Sequence, residues 1–187
     1  MSPPDPSTLA VQLQGKRLPP LERWNPPLSG DIDIRIARGG SWWHEGAPIR
    51  RESLVRLFST ILRREDDGCY YLLTPVEKWR IQVDDVPFLA VFLEVHGEGE
   101  TRCLAFRTNV GDLTTAGTEH VLRVVYNAAG EPSPYVHVRA GLWALISRSV
   151  FLELAELATV REIDGQQVYG VHSQGVFFSL GPVAPAG

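Results

Sequence analysis

Cysteine and methionine are scarce: the 187 residues hold two of the first and one of the second. Cys69 and Cys103 stand between apolar neighbours in strand-like stretches. The count is compatible with one disulfide, but two small core thiols in a reducing compartment is the simpler reading. A basic surplus is missing as well. Eighteen Lys and Arg face 22 Asp and Glu, a formal charge of −4, which excludes the broad cationic footprint of a nucleic-acid polymer binder. The longest apolar run, 86–93, falls far short of the roughly 20 residues of a spanning helix. The opening residues, MSPPDPSTLAVQLQGKR, lack the charged-then-apolar order of a secretory leader. A cytoplasmic protein with no membrane partner is the expectation.

Recognisable catalytic motifs are absent too. Ser173 sits in GVHSQG, a hairpin pattern rather than the strand-to-helix elbow of a hydrolase nucleophile. The run GEGE at 97–100 has no third glycine and no following helix, and its carboxylates repel phosphate, so it reads as a turn. The five histidines, at 44, 96, 120, 137 and 172, show no metal-ligand spacing. Asp31 and Asp33 alternate on one strand face, where solvation and pairing to Arg35 explain them better than an acid pair does. A hydrolase using Glu77 or Asp33 with His44 has only residue types in its favour. Neither a metal nor a cofactor is expected, and the protein is read as a non-enzyme.

What the sequence does contain is architecture. Half of the 14 prolines fall within residues 1–29, marking an extended Pro-rich N-terminal arm, with Leu21 and Trp24 as its docking points. Ile32, Ile34 and Ile36 alternate with charges, the signature of a half-buried strand. Leu54, Leu57, Phe58, Ile61 and Leu62 form one apolar stripe, which predicts a helix over 51–64. Strand patterns follow at 69–74, 78–83, 88–95 and 102–108. In the second half, strands at 122–126 and 135–138 precede a second helix over 140–158 and a hairpin over 166–180.

At an offset of 88 residues Arg51 falls on Arg139, Arg35 on Arg123, Leu54 on Leu142 and Ser59 on Ser147. The expectation is an α+β fold of two tandem strand-strand-helix-hairpin repeats packed on each other. The arm covers 1–29, the first repeat 30–87, a central hairpin and connector 88–118, the second repeat 119–181, and a tail 182–187.

Two polar constellations stand out against this scaffold. Arg107, Thr108 and Asn109 end a strand and enter a loop, where ligand-contacting residues are often presented. Thr74, Glu77 and Lys78 form a second polar loop. Arg51 and Arg139 are placed at helix starts, where the dipole disfavours cations, so each implies a specific acceptor: a protein carboxylate or an anionic ligand. Trp43 and Tyr135, just upstream, are core aromatics or stacking platforms.

The segments GDIDIRIARGGSWWHEGAPIRR, LVRLFSTILR, LLTPVEKWRIQVDDVPF, FRTNVGD and PYVHVRAGLWALISRSVFLEL resemble a bacterial family known as domain of unknown function number 1285. Gly39 departs from the Asp expected there before the Trp pair. The resemblance implies duplicated domains, a C-terminal half similar to pleckstrin-homology folds, a nucleotide-like ligand at the inter-domain surface, and a role in signal transduction. The resulting expectation is a sensor that binds a small anionic or nucleotide-type ligand in the groove between the repeats. Arg107, Arg51 and Arg139 would hold the anion, Thr108 and Asn109 would read polar edges, and Trp43 or Tyr135 would stack. The alternative is a protein-interaction module with a signalling partner and no small ligand.

Overall fold

The computed structural model describes residues 18–183. The chain divides into two compact units, Met1–Pro87 and Phe88–Gly187. Strands dominate both, so the α+β expectation overstates the helices. The residues expected to form most of the mobile arm, 1–17, and the last four of the tail lie outside the described residues.

The first unit builds a six-stranded sheet from β1 (Leu28–Ile36), β2 (Trp42–His44), β3 (Ala47–Pro48), β4 (Leu62–Arg64), β5 (Tyr70–Leu73) and β6 (Lys78–Val83), in the order β3-β2-β1-β6-β5-β4. The alternation read in β1 holds: Ile32, Ile34 and Ile36 are buried, and the residues between them are exposed. The helix α1 spans Glu52–Thr60, shorter than its apolar stripe suggests. Ser59 and Thr60 donate their hydroxyls to the carbonyls of Arg56 and Leu57, which competes with helix continuation. Leu62–Arg64 then pair with β5. Ile61 and Leu62 stay buried, so one apolar pattern serves two conformations. Arg63 donates to the carbonyls of Leu21 and Trp24, tethering the described part of the arm through its backbone.

The second unit contains β7 (Phe88–His96), β8 (Cys103–Thr108), β9 (Leu113–Thr115), β10 (Leu122–Tyr126), β11 (Pro132–Arg139) and β12 (Leu142–Ile146), in the order β10-β11-β12-β7-β8-β9. The helix α2 (Arg148–Glu156) and a three-stranded sheet of β13 (Thr159–Ile163), β14 (Gln166–Ser173) and β15 (Val176–Pro182) complete it. Residues 88–115, separated in the sequence reading as hairpin and connector, thus share a sheet with β10–β12.

The two six-stranded sheets share one wiring. Each joins two antiparallel three-stranded meanders through a parallel pair, β1 with β6 and β7 with β12. The first strands begin at Leu28 and Phe88, so this wiring recurs after 60 residues rather than 88. The 88-residue offset lays α1 over β12, and the helix expected over 140–158 starts only at Arg148. The reason is a change of period. Leu142, Ala144 and Ile146 are buried while Trp143 and Leu145 are half-exposed, an alternation of two that a helical reading of the same leucines conceals. Ser147 caps the true helix by accepting the Val150 N–H, the usual role of serine at that place.

Two contacts join the C-terminal sheet to its neighbour. Ser173, fully buried, donates to the Ala116 carbonyl at 2.6 Å and accepts the Leu104 N–H at 2.9 Å. Tyr126 donates its hydroxyl to the Leu180 carbonyl, beside Gly181, where a Cβ would lie 2.0 Å from the phenol oxygen. Ser173→Ala strands a buried N–H and a buried carbonyl, so it should lower the unfolding free energy by about 1–3 kcal/mol. Urea denaturation with an unchanged m-value would measure this; a loss near zero would contradict the bridging role.

Candidate functional site

The structure scatters the residues singled out from the sequence. Thr108 is buried, and its hydroxyl accepts the Asp112 N–H. Asn109 exchanges bonds with the backbone of Leu89, which donates to its side-chain oxygen at 3.0 Å and accepts its N–H. Arg139 is not at a helix start but at the end of β11. It pairs with Asp112 at 3.4 Å and lies over the Phe88 ring. Thr108, Asn109 and Arg139 are therefore connected through one loop, each by bonds internal to the protein.

Thr74, also buried, accepts the Glu77 N–H in a side-chain-closed turn. Lys78 donates both to Glu65 and across the Tyr71 ring. Burial pushes the Glu65 carboxyl up, but Arg63 and Lys78 together hold it below its ordinary value. Trp43 donates its indole N–H to Ser41. Arg51 is exposed immediately before α1, extended, with no side-chain cap bond. Arg80 donates a two-pronged bond to Asp31, and Arg35 donates one to Asp84, so the expected Asp31–Arg35 pairing is replaced by two separate pairs.

Arg107 is exposed on β8 and lies 4.7 Å over the Phe92 ring. It is separated from Arg139 by three strand positions of about 4.8 Å each. The two do not converge on one anion.

Convergence occurs elsewhere, on the face of β10–β12 turned away from the unit's core. Leu122, Val136 and Ala144 fill the core side; Arg123, Tyr135, His137 and Trp143 alternate to the other. Arg123 pairs with Tyr135, and His137 with Trp143, across adjacent strands. The Arg123 guanidinium stacks 4.1 Å above Trp143 and 5.7 Å from Tyr135. Trp143 meets His137 edge-on at 5.3 Å, and His137 stacks on His120 at 5.5 Å. The result is a continuous ladder, Arg123–Trp143–His137–His120. At its His120 end opens a polar hollow of about 370 Å³ lined by Thr114, Thr115, Thr118, Glu119, His120 and Gln174. The buried His120 Nδ1 has no hydrogen-bond partner among the described residues.

The hydrogen bonds of His137 fix its tautomer. The His137 Nε2 accepts the Gly141 N–H at 3.3 Å, so Nδ1 carries the proton and donates to the Glu119 carbonyl at 3.1 Å. The Gly141 contact braces a two-residue turn in which Ala140 and Gly141 both have positive φ, the geometry of a tight hairpin. Burial pushes the His137 imidazole below its ordinary value of 6.5, with His120 acting in the same direction and the Glu119 carbonyl opposing. Arg123 has no carboxylate partner among the described residues, in contrast to Arg35, Arg63, Arg80 and Arg139. A guanidinium resting over an aromatic face can still donate its N–H groups to a carboxylate or phosphate.

Of the expected site residues, only Tyr135, buried and 5.7 Å from Arg123, adjoins this ladder. Arg123 was visible as the partner of Arg35 at the 88-residue offset, but nothing marked it as exposed and unpaired. Trp143 was hidden by the helical reading of 140–158. A cross-strand pairing of Arg123 with Tyr135 is the signal that would have found it.

Because the folded His137 resists protonation, the unfolded chain takes up the proton first. Its contribution to stability is complete above about pH 6.5 and is lost as pH falls below that value. The melting midpoint of the wild type should therefore drop more between pH 7.5 and 5.5 than that of His137→Phe. Parallel melting curves recorded by circular dichroism would contradict the assignment.

Comparison with known proteins gives a family. The model described as "Domain of unknown function (DUF1285), N-terminal domain" matches residues 19–86, and "Protein of unknown function (DUF1285), C-terminal domain" matches 87–180. A solved DUF1285 family protein from Silicibacter pomeroyi DSS-3 is 48% identical over 97% of each chain, with a TM-score of 0.90. Another from Shewanella baltica OS155 is 28% identical over 66% of this chain and 90% of its own, with a TM-score of 0.52. No curated protein matches.

Proposed function

The chain belongs to the DUF1285 family, and from that premise we propose that it is a non-enzymatic sensor that binds a small anionic, nucleotide-type ligand. One observation carries the reading: the Arg123 guanidinium carbon lies 4.1 Å over the Trp143 ring, and no carboxylate among the described residues neutralises it. A phosphate or carboxylate of the ligand takes the outward edge of that guanidinium in a two-pronged bond. The uncharged part of the ligand lies along His137, and its polar edge reaches Thr118, Glu119 and Gln174 in the hollow. The hollow falls within the usual size range of small-molecule sites, and the unpartnered His120 nitrogen supplies one more polar contact.

Arg107, in the same unit but four strand positions from Arg123, serves another role than the anion clamp. Arg139, tied to Asp112, positions a loop. The common wiring of the two sheets supports reading the chain as two copies of one unit, of which the second carries the ligand. Occupancy of that site would be the state passed on in signalling.

Calorimetry with nucleoside mono-, di- and triphosphates, cyclic nucleotides and dinucleotides tests the reading. At least one should bind with a Kd below about 1 mM, and Arg123→Ala should weaken it at least ten-fold, roughly what loss of a charged two-pronged bond costs. Arg107→Ala should leave the affinity unchanged. Absence of binding across the panel, or equal loss in both variants, would refute the proposal.

A further inference from the structure

The C-terminal sheet ends on β13, beside which no further strand lies among the described residues. In the order β13-β14-β15, β13 pairs only with β14, and all five of its residues are exposed. Val160 and Ile163 keep 49% and 39% of their surface in solvent. Proteins usually protect such an edge with proline, a bulge or a covering element. Here Thr159–Ile163 contains no proline and pairs with β14 without a break in register.

The edge is continuous with an apolar notch. Val160 pairs with Tyr169, and Tyr169 forms one wall of a hollow of about 290 Å³ completed mainly by Tyr126, Phe151, Ala155 and Ala158. Phe151, Ala155 and Ala158 fall on one stripe of α2 and the residue just beyond it, and the two alanines keep the floor low. Tyr126, Leu152 and Tyr169 remain 43%, 57% and 45% exposed, so a wide apolar surface stays in water.

Charge identifies what would cover it. Glu156 at the end of α2, Glu162 on β13 and Asp164 in the turn after it are all exposed, and none pairs with a cation among the described residues. Glu162 lies on the same side of the sheet as Val160. The nearby Arg161 alternates to the opposite side, where it stacks on Phe177. The face is therefore apolar at its centre and acidic at its rim.

We infer that this edge and notch dock an extended, basic segment of a partner protein that carries one bulky apolar side chain. The segment adds to the sheet as a fourth strand beside β13, its backbone satisfying the free N–H and C=O groups of that edge. Its alternate side chains point toward α2, one aromatic or large aliphatic residue entering the notch against Tyr169 and the alanines. Lysines or arginines flanking it meet Glu156, Glu162 and Asp164. This surface is distinct from the Arg123 ladder, and the inference does not rest on the ligand proposal.

The test uses the full ¹⁵N-labelled chain and a synthetic nonapeptide alternating lysine and threonine about a central tryptophan, with a control in which every lysine is glutamate. The lysine peptide should shift the amides of Thr159–Ile163 and bind at least about ten-fold more tightly than the control at low salt. Ala155→Trp, which fills the notch from an exposed helix position, should abolish binding with an unchanged melting midpoint. The double variant Glu156→Gln, Glu162→Gln should weaken the lysine peptide by about three-fold or more. Equal affinity for both peptides, no shift at β13, or β13 shifts that depend on protein concentration without peptide (a second copy as the occupant) would each overturn the inference.

Discussion

In each unit the strand that opens the large sheet lies parallel to the strand that closes it, β1 beside β6 and β7 beside β12. That pairing holds the rest in place. Without it each large sheet comes apart into two separate three-stranded meanders. Its register is set by burial. Phe88 and Ala90 face Ala144 and Ile146, all four sealed in the core, and a slip of one residue would turn them outward. The same register aligns what the core does not use. With Ala144 inward, Trp143 must be outward, and β11 then sets His137 and Tyr135 beside it. The ladder is thus a by-product of packing on the other side of the sheet.

Among the described cations some hold carboxylates, some rest on aromatic rings, and Lys78 and Arg139 do both. Arg35, Arg80 and Lys78 each hold a carboxylate across strands, and these pairs fasten the first sheet on its polar face. Arg107 and Arg123 rest on aromatic rings instead. A salt-bridged arginine has spent its donors, while a stacked one has lost conformational freedom but kept them.

Sequence reading recovered the elements whose period is unambiguous. The three isoleucines of β1 alternate so strictly that no helix fits them, and the stripe of α1 is helical as far as Thr60, beyond which it runs on into β4. It failed where one apolar set satisfies both periods. Leu142, Leu145 and Ile146 are spaced for a helix, yet the small Ala144 between them is buried at the strand period, and Ala is silent in a pattern of large residues. The hairpin reading of Ser173 was correct about the turn, but its burial depends on contacts with residues 69 and 57 positions away. The site was less legible still. Arg51, Arg107 and Arg139 look alike in sequence, and only the fold shows that one is solvated, one stacked and one tied to Asp112. The family resemblance pointed to the right relatives without distinguishing these roles.

The contact of Tyr126 with Leu180 and Gly181 is asymmetric. A phenol bonded to the backbone of the next sheet sits where residue 181 has only a hydrogen atom. Subtraction at this seam is gentle, because losing the phenol leaves a gap at a half-exposed margin that water can enter. Addition is not, because even a single methyl at 181 would claim the space of an atom already there and act as a wedge driven between β10 and β15. The seam can therefore vary toward the smaller and hardly at all toward the larger.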